Sequence, residues 1–212
     1  TSSIVIQATA VGTFTYAGTP YCSNDADPSP TYSGGGVAGA FTSTGGLVWA
    51  NQGTGQVDVS GSTAGTYVVT NTIAASGTCA QVVETSSIVI TTLPVATFSY
   101  TGTPYCSNDA DPSPSYGNTG GVAGAFTASG AQNALSINAG TGAVDISAST
   151  AGTYTVTNTI VAANGCAQVV ATSGIVIQAT AVATFSYAGT PYCSNDANPS
   201  PSYGNTGGVA GA

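Results

Sequence analysis

The chain repeats itself at domain length. The run Phe14-Thr15-Tyr16-Ala17-Gly18-Thr19-Pro20-Tyr21-Cys22-Ser23-Asn24-Asp25-Ala26-Asp27-Pro28 returns almost unchanged from Phe98 and again from Phe185, at offsets of 84 and 87 residues. Ile4-Val5-Ile6 returns at Ile88 and Ile175 with those same offsets. Ala64-Gly65-Thr66-Tyr67 returns at Ala151, and Cys79-Ala80-Gln81-Val82-Val83 at Cys166. The three-residue difference falls between Tyr32 and Tyr67, where insertions belong to loops. Solenoid units repeat every ~20–50 residues, so this period describes whole domains stacked in tandem. On this register residues 1–9 are the C-terminal strand of a preceding repeat. Residues 10–93 and 94–180 are complete repeats, and 181–212 open a further one. Both ends fall inside a repeat, and the expectation is a segment of a long polymer or a subunit that lends its neighbour a strand.

Within one repeat, apolar residues alternate with polar ones and no helical periodicity is present. Leu135, Ile137, Val144 and Ile146 alternate across a hairpin joined by Ala139-Gly140-Thr141-Gly142. The first repeat places Leu47, Trp49, Val57 and Val59 at matching positions, so Trp49 is expected to plug the core. Ala96–Tyr100 reads as an opening strand. Thr153–Ile160 reads as a long one, which turns through Asn164-Gly165 into Cys166–Val170; Ile175-Val176-Ile177 closes the repeat. Asn-Gly between alternating runs is a strong hairpin signal. Short strands with turn signals every ~8–12 residues predict an all-β, two-sheet antiparallel sandwich.

Ser149–Thr157 is similar to the strand entry of immunoglobulin-like and cadherin-like domains, where a tyrosine at the strand start bonds back to the preceding corner. Taken with Leu135-Ser136-Ile137-Asn138, Thr141-Gly142 and Val144-Asp145-Ile146-Ser147, the whole repeat resembles the tandem immunoglobulin-like repeats of giant bacterial surface adhesins, of the sort found in gliding and biofilm-forming bacteria. The resemblance implies an immunoglobulin-like fold at a bacterial cell surface. It implies nothing about a ligand.

Composition then removes several classes of function. The 212 residues contain no Lys, Arg or His and eight acids, for a net charge of −8. Side-chain ion pairs are impossible, and no cationic surface exists for nucleic acid or anionic lipid. With 42% apolar residues the chain is too hydrophobic for disorder, and no apolar run approaches the ~18 residues of a membrane helix. Without His or Lys there is no conventional base for a serine or cysteine nucleophile. Asp25 and Asp27 stand two apart in a turn, which suits structure better than a glycosidase pair. The expectation is a protein that is not an enzyme.

The five cysteines follow the repeat. Cys22 and Cys79 are 57 residues apart and Cys106 and Cys166 are 60 apart, so pairing within each repeat is expected, with Cys193 bonded to a cysteine beyond residue 212. Cys79–Cys106 with Cys166–Cys193 also has a constant spacing, of 27 residues, and would link consecutive repeats. Two thiols without His make a poor zinc site. Disulfides at regular intervals point to an extracellular location.

One cluster could bind a metal. Asn24-Asp25-Ala26-Asp27, Asn108-Asp109-Ala110-Asp111 and Asn195-Asp196-Ala197-Asn198 gather oxygens of the kind calcium needs in sets of six to eight. The calcium candidates are Asp25, Asp27, Asp109, Asp111 and Asp196. Against them stands a plain turn reading, because Asn and Asp bond their own backbone in turns. Asn198 favours the turn: it replaces an aspartate at no cost to an Asx-turn but would remove charge from a calcium site. The expected function is a structural segment of an extracellular filament or stalk, with copies of itself as partners. A glycan- or surface-binding adhesin is the alternative.

Overall fold

A computed structural model describes residues 3–130 and 135–203. Residues 1 and 2 of the expected leading strand, and the part of the expected further repeat beyond residue 203, lie outside the described residues. The chain forms two compact units. The first comprises residues 1–96 with 119–122 and 159–170; the second comprises 97–118, 123–158 and 171 onward.

The first unit contains β1 (Phe14–Thr15), β2 (Tyr21–Cys22), β3 (Thr31–Tyr32), β4 (Ala40–Ser43), β5 (Val48–Asn51), β6 (Gln56–Asp58), β7 (Gly65–Ile73) and β8 (Val82–Thr91). A four-stranded sheet runs β2-β8-β7-β4, and two ribbons, β1–β3 and β5–β6, complete the layers. The second unit repeats the plan with β9 (Tyr105–Cys106), β10 (Ala125–Gly130), β11 (Ser136–Ile137), β12 (Val144–Asp145), β13 (Gly152–Ile160) and β14 (Val169–Gln178). Its sheet runs β10-β13-β14-β9, beside the ribbon β11–β12. No helix occurs among the described residues, so the chain is all-β.

The cores follow the alternation. On β7, Tyr67, Val69 and Asn71 are buried while Thr66 and Val68 face water; on β13, Tyr154, Val156 and Asn158 do the same. In the first unit Phe14, Phe41, Val57, Val59, Ile88 and Ile90 close over them. Phe98, Phe126, Val144, Ile146, Ile175 and Ile177 are their counterparts in the second. Each fully buried side chain of this size contributes roughly 1.5–3 kcal/mol. Phe14 meets Phe41 edge to face at 5.5 Å, and Phe98 meets Phe126 the same way at 5.4 Å. That geometry sets the positive ring edge against the negative face. Tyr154 donates to the Thr150 carbonyl at 2.7 Å and Tyr67 to the Thr63 carbonyl, so the expected tyrosine corner forms in both units.

Four details differ from expectation. The sheets are not wholly antiparallel: β2 lies parallel to β8, pairing Tyr21 with Ile90, and β9 parallel to β14, pairing Tyr105 with Ile177. Cys166–Val170 and Ile175–Ile177 do not form two strands, because β14 runs unbroken from Val169 to Gln178. Gly174 lies within that strand, exposed and with open space where a side chain would be, so it breaks nothing. Ala96–Tyr100 forms a single bridge, Ser99 to Ser115, where an opening strand was expected. Trp49 is only half-buried and lies against Phe41 at 6.2 Å, a flank of the core where a plug was expected. Phe41 already fills the space behind it.

Candidate functional site

The acidic turns come first, because they held the metal candidates. The Asp25 carboxylate accepts the Cys22 backbone N–H at 2.8 Å; Asp109 accepts that of Cys106 at 2.7 Å, and Asp196 that of Cys193 at 2.7 Å. The next acid in each run reaches further. Asp27 accepts the Val59 N–H at 3.1 Å and Asp111 the Ile146 N–H at 2.9 Å, tying the turn to the hairpin beneath. These carboxylates are therefore engaged with backbone donors in their own unit. Among the described residues, no three His, Cys, Asp or Glu side chains are arranged to hold a metal ion.

Two further aspartates, Asp58 and Asp145, cap tight turns. Asp58 accepts the Gly61 N–H and the Ser60 hydroxyl, each at 2.8 Å, and Asp145 treats Ala148 and Ser147 in the same way. The backbone N–H bond first, and the hydroxyl second, hold each carboxyl below its ordinary value. Beneath the ribbons Tyr16 donates to the Gly55 carbonyl at 2.6 Å and Tyr100 to the Gly142 carbonyl at 2.5 Å. Burial, and then the neighbouring Tyr116 and Tyr105, push the Tyr100 phenol up to about 12.

The least anticipated polar residue is Asn71, fully buried on β7. Its side-chain oxygen accepts the Gly39 N–H at 2.7 Å, and its amide donates to the Gly12 carbonyl at 3.0 Å and the Val37 carbonyl at 2.9 Å. It thereby gathers three separate stretches of the first unit. Asn158 accepts the Gly124 N–H at 2.8 Å in the second unit. A signal was available, since Asn71 shares its parity with Tyr67 and Val69 and so had to point inward.

The cysteines depart most from expectation. Cys22 is bonded to Cys166, 144 residues away, with both residues in the first compact unit. Neither Cys22–Cys79 nor Cys106–Cys166 forms, and neither does the alternative Cys79–Cys106 with Cys166–Cys193; Cys79, Cys106 and Cys193 are free thiols. The cause is the Asn164-Gly165 hairpin, closed by the bridge between Ala163 and Cys166. Its tip rests against the ends of β2 and β8: Thr91 donates its hydroxyl to the Asn164 carbonyl at 2.7 Å and lies 3.4 Å from the Cys166 sulfur. Asn164 and Gly165 both have positive φ, 50° and 83°. A side chain at Gly165 would stand 2.0 Å from the Pro20 carbonyl oxygen. Only glycine permits this approach, which carries Cys166 to Cys22.

Two apolar stretches stay uncovered. Ile4 and Ile6 are 88% and 91% exposed, whereas Ile88, Ile90, Ile175 and Ile177 are buried. Phe185, Tyr187 and Tyr192 are exposed, although their counterparts Phe98, Tyr100 and Tyr105 are buried. No helix among the described residues is long and apolar enough to cross a membrane.

No protein-family model matches the chain, and no curated protein matches it in sequence. Solved structures do show likenesses. A SusE-like, surface-located polysaccharide-binding protein from the Bacteroides thetaiotaomicron heparin utilisation locus is 17% identical, with 82% of this chain covered and a TM-score of 0.28. Drosophila N-cadherin EC1-4 is 11% identical over 80% of this chain, and mouse cadherin-23 EC22-24 is 12% identical over 84%, each at a TM-score of 0.36. The chain spans 35%, 50% and 66% of those three structures. Likenesses this slight decide nothing about function.

Proposed function

We propose that this chain is a structural segment of an extracellular filament or stalk, built from tandem β-sandwich repeats that disulfides tie together, and that it catalyses no reaction. One observation carries the reading: Cys22 comes from one sequence repeat and its partner Cys166 from the next. A covalent tie that reaches from repeat to repeat serves an array and adds nothing to a freestanding domain. The duplicated internal bonds support the same reading, because Asp25 and Asp109, Tyr16 and Tyr100, and Asn71 and Asn158 each hold the fold in both units. A disulfide persists in an oxidising compartment, which supports a location outside the cytoplasm. Copies of the same repeat are the partners in this reading.

The exposed rings of Phe185, Tyr187 and Tyr192 favour a second reading, a glycan- or surface-binding module, since sugar faces stack on aromatic rings. Negative-stain electron microscopy of the native material separates the two. Regular filaments are expected; isolated flexible molecules that bind a glycan array through those rings would replace the filament with the adhesin.

A further inference from the structure

We infer that Cys106 and Cys79 are the two halves of a second disulfide of the same kind, formed between two copies of this chain. The inference rests on the assembly reading above. The observed bond joins the first cysteine of one repeat to the second cysteine of the next. Applied to all five cysteines, that rule leaves three without a partner in this chain: Cys79, Cys106 and Cys193. These are the three free thiols. Pairing within repeats, or between Cys79 and Cys106 of one chain, would leave only one.

Both halves are already shaped. The seat around Cys106 copies the seat around Cys22. Each cysteine gives its N–H to the aspartate three residues on. Each lies on a parallel edge, Cys22 opposite Thr91 and Cys106 opposite Gln178. The following serine N–H is held by the same strand end, Ser23 by the Thr91 carbonyl at 2.8 Å and Ser107 by the Gln178 carbonyl at 2.9 Å. The complementary hairpin is also duplicated, because Ser76 bridges Cys79 as Ala163 bridges Cys166. The Cys79 hairpin even touches the strand end that its rule requires. Gln7, which occupies the place of Thr91 one repeat earlier, donates to Ser76 at 3.2 Å, and the Cys79 thiol lies 3.9 Å from the Gln7 carbonyl. The Ile4–Ile6 stretch before it is almost wholly exposed, so the β14 end of another copy can displace it at little cost.

The chemistry needs an oxidant, and a disulfide such as oxidised glutathione suffices. One protein thiolate attacks its S–S bond and releases one glutathione. The second thiolate then attacks the mixed disulfide and releases another. Two protein thiols lose two protons and two electrons, and one glutathione disulfide becomes two thiols.

The test uses the full chain with Cys193→Ser, whose seat lacks the partner strand, incubated with glutathione disulfide as an equal mixture of ¹⁴N- and ¹⁵N-labelled protein. A non-reducing gel is expected to show a ladder in steps of 20.4 kDa. C79S and C106S should each remove more than nine-tenths of it. Cleavage after Glu84 separates the two cysteines, and mass spectrometry should then find Cys79–Cys106 peptides that carry one light and one heavy half. A Cys79–Cys106 bond without mixed labels, or Cys22–Cys79 with Cys106–Cys166, would overturn the inference. Filaments whose Cys79 and Cys106 thiols stay reactive would overturn it too, while leaving the filament reading intact.

Discussion

At the scale of single residues the stability of this chain rests on hydrogen bonds to its own backbone, because it has no cation with which to form an ion pair. Asn71 is the clearest case. Replacing it with alanine strands the Gly39 N–H and the Gly12 and Val37 carbonyls inside the first unit. Each such group costs about 1–3 kcal/mol, less whatever water can repair. Asn71→Ala is expected to destabilise the first unit by about 3 kcal/mol, read as a lower urea midpoint at unchanged slope. Asp58 and Asp145 set the acid limb. Their folded carboxyls titrate below the unfolded value of 3.8, so their stabilisation is present above that value and is lost as pH falls through the folded one. Thermal midpoints should therefore drop on acidification below about pH 4. Asp58→Asn with Asp145→Asn, which keeps the acceptor oxygens and removes the charges, should flatten that drop.

At the scale of elements, the hairpin around Asn164 and Gly165 decides the covalent structure. Gly165→Ala places a methyl group where the Pro20 carbonyl already stands, at a φ that alanine resists. The hairpin must back away and carry Cys166 from Cys22. Reoxidation of the reduced variant should yield several-fold less Cys22–Cys166 bond than the parent, as measured by peptide mapping, with the second-unit core unchanged by tyrosine fluorescence. The hairpin and its Asn-Gly turn were legible from sequence, as were the strands β7 and β13 and the corners at Tyr67 and Tyr154. Those features arise from chain neighbours, within which the alternation of side chains and the demand for positive φ operate. β14 was read as two strands because Ser173-Gly174 resembles a break. Its exposed flank tolerates glycine, and the pairing partner that keeps it continuous is remote in sequence.

For the whole molecule, the Cys22–Cys166 bond closes the longest loop in the described chain. The chain-entropy model gives a loop of this length about 5 kcal/mol. Reduction is thus expected to lower the unfolding temperature of the first unit by roughly 10 °C or more, whereas Cys106→Ser should leave the monomer's midpoint unmoved. Trypsin offers a complementary check, since even the reduced and unfolded chain contains no Lys or Arg and should survive digestion at 20.4 kDa.

The sequence by itself determined the repeat, the all-β class, the inward and outward faces of the long strands, and the loss of every function that needs a cation. These follow from spacing and side-chain type. The acidic runs could be read as turns or as calcium ligands. The structure engages Asp25, Asp27, Asp109, Asp111 and Asp196 with backbone N–H groups, which lie next door for Asp25, Asp109 and Asp196 but 32 and 35 residues away for Asp27 and Asp111. Tertiary structure alone decided which cysteine meets which. A periodic sequence places every first cysteine at a constant spacing from every second one, so spacing cannot choose among the pairings. The choice fell to contact between Asn164-Gly165 and the ends of β2 and β8, where a missing side chain lets two distant stretches of backbone touch.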